Sequence, residues 1–362
     1  MRPQSAPRRV AVALSGGVDS GVAALLLVER GLDVTALTLQ LRSGPERPSV
    51  PTPAAIERAR AMAERLEIPF RLIDARDSFE REVVDTFVAE YAAGRTPNPC
   101  VTCNRFIRFG LLMDRARALG AEALATGHYS RIRWSDGKYQ LLRGVDPTKD
   151  QSYFLHALTQ SQLARALFPL GSLTKNTVRE IALRNRLPVA EQPESQDVCF
   201  IAGGDYRQFL ERHAPNILKP GPIYDTAGKV LGQHNGLAAY TIGQRKGLQI
   251  SAAKPLYVLA IKPDENALIV GTADQLGRDK CRVDQVHFIS GRIPNAPIIA
   301  EAQIRYQAAP TRVTVYPISE RQIEVRFDVS QRDITPGQFL VLYRGDLVLG
   351  GGIICDSRTP VL

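Results

Sequence analysis

Two short stretches carry residue types that do chemistry. Ser15-Gly16-Gly17-Val18-Asp19-Ser20 follows an apolar run over residues 9–14 and opens a helix-compatible stretch that Gly31 can stop. That context predicts a strand-to-helix turn at the mouth of a parallel sheet. Paired glycines let the backbone approach a ligand, and the first-turn N–H groups of a helix face an anion. Ser15 and Ser20 add hydroxyl donors, and Asp19 can orient the loop or hold Mg²⁺. The turn lacks the lysine of a G-x-x-x-x-G-K-[ST] phosphate loop.

The second stretch is Arg95-Thr96-Pro97-Asn98-Pro99-Cys100-Val101-Thr102-Cys103-Asn104. Its prolines predict a non-helical loop, with a helix over 104–119. Cys103 should then lie near a helix N-terminus, where a thiolate is favoured. A third thiol, Cys199, falls in a predicted loop, Glu194-Ser195-Gln196-Asp197-Val198-Cys199-Phe200. Several chemistries stay open for these thiols. Zinc wants four ligands, and neither a second C-x-x-C nor paired histidines is present. A redox pair is open, although Pro99 and the loop context differ from the thioredoxin type. So is an iron–sulfur cluster on Cys100, Cys103 and Cys199, and so is an inert pair. Cys281 and Cys355 lie in strand-like runs and read as buried small hydrophobes.

The elements that must position these residues alternate. Strands are predicted at 33–41, 70–74 and 121–126, the last leading into Gly127-His128-Tyr129. Helices are predicted at 53–67, 78–93, 104–119, 160–167 and 175–185. The alternation argues for a doubly wound parallel sheet, whose ligands bind at strand carboxyl ends. Leu39 would lie there, near an adenine. Asp136-Gly137 between two short apolar runs signals a hairpin. After residue 212 Gly and Pro punctuate short β-branched runs, predicting a β-rich half. The expected domains are residues 1–212, a linking domain over 213–280, and a C-terminal β-barrel over 281–362.

The chain has 362 residues, a net charge of +9 and a hydrophobic fraction of 44%. That size fits two or three domains. The charge favours an anionic partner, nucleic acid first. No run approaches the ~18 apolar residues of a membrane helix. The start carries no apolar signal segment, so a cytoplasmic location without a disulfide framework is expected.

The Ser15–Ser20 turn resembles the SGGxDS loop of the PP-loop ATP pyrophosphatases, which adenylate a carbonyl oxygen and release pyrophosphate. In order along the chain, SGGVDS, TPNPCVTCN, ATGHY, DPTKDQSYFL, ESQDVCF, GQRKGL and Arg305-Tyr306-Gln307 resemble the tRNA-specific 2-thiouridylase family over essentially the whole length. That resemblance implies ATP- and Mg²⁺-dependent sulfur transfer to the wobble uridine of tRNA, served by a sulfur-donor protein. By the resemblance, Cys199 carries a persulfide and Cys103 is its partner nucleophile. Ala13, Leu14, Ser15, Gly16, Gly17, Val18, Asp19, Ser20, Leu39 and Gly127 would contact ATP. Asn98, Pro99 and Cys100 would meet the target base. His128, Lys149, Asp150, Gln151, Arg305, Tyr306 and Gln338 would touch tRNA. Some family members carry Asp where this chain has Cys100, so the resemblance assigns Cys100 no proton transfer. Its alternatives are another PP-loop adenylating enzyme on tRNA, or an iron–sulfur-dependent thiolase using the three cysteines.

Overall fold

The computed structural model describes residues 7–43, 50–188, 198–201, 205–215 and 217–355. Of the predicted cysteine loop, Glu194 to Asp197 lie outside the described residues. Five strands, β1 (Arg9–Ala13), β2 (Asp33–Gln40), β3 (Phe70–Asp74), β4 (Ala123–Ala125) and β7 (Ala166–Leu167), form a parallel sheet of order β3-β2-β1-β4-β7. Their apolar residues alternate between two cores. Val10 and Val12 join one with helix α1 (Val18–Glu29) and helix α2 (Pro53–Arg65). Ala11, Leu37 and Leu124 join the other with Val101, Phe109 and Leu155. A sheet covered on both faces needs this two-sided apolarity. The chain leaves β1 for β2 on one side, while β4 flanks β1 on the other. The carboxyl ends of β1 and β4 therefore flank a topological switch point, the usual ligand crevice of such sheets.

Two predicted helices are corrected. The segment expected helical over 160–167 has one turn, Gln160–Leu163, and then becomes β7. Ala166 and Leu167 pair with Leu124 and Ala125, so the open edge of β4 overrides local helix preference. The helix expected from Asn104 starts five residues earlier. Pro99–Thr102 is helical, with Asn98 Oδ1 accepting from the Cys100 N–H at 3.2 Å. Pro99 occupies the first helical position, where a missing N–H and fixed φ are tolerated. The helix then widens into π-type turns over Cys103–Leu112 and returns to α over Met113–Ala118.

The second half is β-rich, as expected. Strands β8 (Gly221–Tyr224), β9 (Val230–His234), β10 (Tyr257–Lys262) and β11 (Ala267–Gly271) form a small mixed sheet. Six more, β12 (Arg278–Phe288), β13 (Ile298–Gln303), β14 (Thr311–Ser319), β15 (Gln322–Gln331), β16 (Phe339–Arg344) and β17 (Leu347–Cys355), run as β12-β15-β14-β13-β16-β17. Pairing of β12 with β17 closes them into a barrel. The predicted hairpin forms as β5 (Ser130–Ser135) and β6 (Lys138–Arg143), with Asp136 and Gly137 both at positive φ. Its position was not legible in the sequence. Leu142 pairs with Leu347, so a hairpin from the first half extends the C-terminal sheet.

Candidate active site

The Ser15–Ser20 turn connects β1 to α1 at the switch point. Gly17 caps α1 without a side-chain acceptor, so no cap side chain covers the first-turn N–H groups. Ser20 Oγ lies 3.1 Å from both the Ser15 N–H and the Ser15 hydroxyl, and donates to the Gly17 carbonyl at 3.0 Å. The loop is thus curled around its own serines. Gly16 sits at φ +76°, and a Cβ there would lie 2.2 Å from the Ala55 carbonyl oxygen. Gly127, at the end of β4, packs flat on the start of α1: a Cβ would meet the Asp19 carbonyl carbon and the Ser20 nitrogen at 2.9 Å. Ala13 and Leu14 lead into the turn, and Leu39 lies near the carboxyl end of β2, half-buried between two cores.

Asp19 is held, not open. One oxygen, Oδ1, accepts from Lys175 Nζ and from the Tyr129 hydroxyl, each at 2.7 Å. That oxygen ties the start of α1 to Tyr129 and to the helix that begins at Lys175. Lys175 was not singled out by the sequence. It is a lone lysine after Thr174, and only the packing of its helix against α1 brings it here.

The thiols converge from two segments. Cys103 is buried in an apolar cluster that also holds Phe200 and Ile201, and Val198 packs against it. Phe200 anchors the Cys199 turn edge-on against Phe79 and Phe87, with Phe209 alongside. Cys100 and Cys199 are exposed as residues, yet their sulfurs sit in crowded surroundings. Burial, helped by the neighbouring Cys103 and Cys100, pushes the Cys199 thiol up to about 12. Burial pushes Cys100 up to about 11, again with help from Cys103. Cys103 is raised chiefly by burial. The expected thiolate at a helix N-terminus is therefore corrected: Cys103 lies beyond the first helical turn, and desolvation outweighs the helix. Among the described residues, no three Cys, His, Asp or Glu side chains form a set able to hold a metal ion.

His128 follows Gly127 and is buried. Burial and the nearby Arg108 push it down to about 3, so it is neutral. Arg108 can only donate, so at 3.4 Å His128 Nε2 accepts and Nδ1–H donates to Thr126 Oγ1 at 2.7 Å. Arg108 also donates to Asn104 Oδ1 at 3.2 Å.

The other expected contact residues frame the same region. Asp150 accepts from Arg143, from the Gly144 and Ser152 N–H groups and from the Ser152 hydroxyl, organising its loop. Gln151 exchanges two bonds with Tyr129, its N–H donating to the Tyr129 carbonyl and its Oε1 accepting from the Tyr129 N–H. Lys149 lines a cavity of about 440 Å³ with Lys175 and Arg179. Tyr306 packs on Phe154 at 4.3 Å between ring centroids. Arg305 is exposed, 3.9 Å from Asp333. Gln338 donates to the Thr96 carbonyl at 2.9 Å, tying the barrel to the loop that carries Asn98, Pro99 and Cys100.

Three family patterns tile the chain: "tRNA methyl transferase HUP domain" over residues 8–203, "tRNA methyl transferase PRC-barrel domain" over 207–272 and "Aminomethyltransferase beta-barrel domain" over 278–354. The tRNA-specific 2-thiouridylase MnmA of Moorella thermoacetica is 49% identical over 355 residues, spanning 95% of this chain and 98% of its own. That of Carboxydothermus hydrogenoformans is 46% identical, spanning 96% and 97%. The chain belongs to the tRNA-specific 2-thiouridylase family. Membership fits the switch-point loop and the three thiols already described. Among solved structures, the U34-tRNA thiolase NcsA of Methanococcus maripaludis with its [4Fe-4S] cluster is 20% identical, covers 57% of this chain and 66% of that one, and gives a TM-score of 0.35. A 4-thiouridine synthetase in complex with RNA and ATP is 19% identical, covers 57% and 50%, and gives 0.38. Likeness at these scores carries no weight for activity. Among the described residues, no helix is long and apolar enough to cross a membrane.

Proposed function

We propose that this chain thiolates C2 of the wobble uridine of tRNA, consuming ATP and persulfide-derived sulfur. One observation carries the reading: the neighbours of Cys199, Val198, Phe200 and Ile201, pack into the apolar cluster that holds Cys103, in a chain 49% identical to a 2-thiouridylase over nearly its full length. Residues 1–212 hold the catalytic site, 213–280 link, and 281–362 form the docking barrel. The setting is cytoplasmic, where tRNA and a persulfide-carrying donor protein meet.

The C2 carbonyl oxygen is a poor leaving group. It attacks the α-phosphate of ATP, and pyrophosphate departs against the N–H groups and hydroxyls of Ser15–Ser20. Mg²⁺, arriving with ATP, supplies charge neutralisation on the phosphates. Ala13, Leu14 and Leu39 bracket the nucleoside, and Gly127 lets the loop close on it. The base must be extruded from the anticodon loop to reach Asn98, Pro99 and Cys100. His128, Lys149, Asp150, Gln151, Arg305, Tyr306 and Gln338 line the path of the RNA. His128, buried and neutral, serves by holding its neighbours and not by pairing with a phosphate.

The outer sulfur of a Cys199 persulfide attacks C2, and AMP leaves. Cys103 then attacks Cys199 Sγ. The S–S bond breaks, its electron pair goes to the sulfur on uridine, and a Cys103–Cys199 disulfide closes. Alternatively Cys103 first releases hydrosulfide, which attacks C2; both orders end in the same disulfide, which an external dithiol reduces.

The test is mass spectrometry of nucleosides from unmodified tRNA incubated with the protein, ATP, Mg²⁺ and a sulfur source. A 2-thiouridine signal that is lost in Cys199→Ser and Cys103→Ser is expected. AMP formation with no thiolation in the native protein would overturn the reading in favour of another PP-loop ligase.

A further inference from the structure

The wide turn after Cys103 brings an arginine to the thiols. In an α-helix, residues five apart point well away from each other. In π-type turns, residues i and i+5 are joined by the backbone hydrogen bond and fall near one face. Cys103–Leu112 is such a segment, so Cys103 and Arg108, five apart, are brought toward one side. Arg108 is then fixed from two directions: Asn104 Oδ1 accepts from within the helix, and His128 Nε2 accepts from the strand end that carries Gly127. A neutral imidazole is needed for this, and burial keeps His128 neutral. Burial raises the thiols of Cys100, Cys103 and Cys199, and the Arg108 charge works against that rise at each of them.

We infer that Arg108 is a positioning residue for the sulfur exchange, a cation held by the nucleotide-side His128 so that its charge faces the cysteines. This rests on the thiolation proposed above. Attack of Cys103 on Cys199 moves negative charge from one crowded sulfur to the next, in a pocket whose apolar walls oppose charge. A fixed guanidinium offsets that cost without itself forming a bond. Neither Asn104 nor His128 can do so, as both are neutral.

The exchange can be read without RNA. The purified full chain is loaded with inorganic polysulfide, and hydrosulfide release is followed: Cys199–S–SH and the Cys103 thiol give the disulfide and H₂S, with atoms and electrons balanced. Arg108→Gln should slow release about a hundredfold, while Arg108→Lys should recover most of the rate. The Kd for tRNA and the KM for ATP should stay within about twofold, so that the loss falls on kcat for thiolation. If Arg108→Gln melts early, Arg108→Met, which keeps an apolar stem, takes its place. Unchanged hydrosulfide release in the neutral variants would overturn the inference, as would a tRNA affinity loss that accounts for the whole effect. Native protein that shows Arg108-dependent release but makes no 2-thiouridine would sink the thiolation reading and leave this inference standing.

Discussion

Gly127 and His128 are adjacent and do opposite things with space. Gly127 has none to spare, so Gly127→Ala forces the start of α1 away from β4. Its cost is expected at about 1–3 kcal/mol, with a larger loss in ATP affinity than in tRNA affinity, read by calorimetric titration and thermal melting. His128, held near 3, titrates far below an unfolded histidine. Between that value and the unfolded one, the unfolded chain binds the extra proton, so stability present above about pH 6.5 is lost as pH falls toward 3. Melting between pH 7 and pH 4 should therefore drop less steeply in His128→Gln than in the native chain. The thiols respond in the other direction. With Cys100 up to about 11 and Cys199 up to about 12, alkylation at both should rise about tenfold per pH unit from 7 to 9. A plateau below pH 8 at either residue would contradict this. At this scale the sequence revealed residues whose work is local. Ser15 to Ser20 announce themselves because a strand, two glycines and a helix start are contiguous. Arg108 and Lys175 do not, since their roles depend on neighbours 20 and 156 residues away.

Elements decide whether the thiols meet. The helix that bears Cys100 and Cys103 begins at Pro99 because Asn98 caps it. Losing that cap in Asn98→Ala should cost about 1 kcal/mol. The Cys199 turn is held by Phe200, which is 1% exposed among aromatic rings. Phe200→Ala should cost about 3–5 kcal/mol of stability and slow Cys103–Cys199 disulfide formation even where the protein stays folded, as judged by mass spectrometry of the oxidised chain. Full disulfide formation in folded Phe200→Ala would show that the anchor is not needed. The strand–helix alternation of the first half was legible from apolar runs and their stops. The first helical position of Pro99 and the strand at Ala166–Leu167 were not. One turns on a proline being allowed at N1, the other on an open sheet edge that no local pattern reports.

Across the whole molecule, charge and topology act together. A chain of net charge +9 that binds tRNA should lose affinity steeply with salt. A log–log slope near zero between about 50 and 200 mM would exclude phosphate contacts as the source of binding. The β-rich character of the second half was readable from its Gly and Pro spacing, but the attachment of β5 and β6 to β17 was not, because each hairpin looks complete by itself. That attachment also bears on biogenesis. The hairpin of residues 130–143 finds its sheet only through Leu347, and the cysteine-bearing loop gains its Gln338 tether at nearly the same point in the chain. A ribosome making this protein therefore releases the first half with an unpaired strand edge and an untethered thiol loop. The hairpin gains its sheet, and the loop its Gln338 tether, only after β16 and β17 of the barrel have emerged, so the growing chain withholds a finished sulfur site until those strands are made.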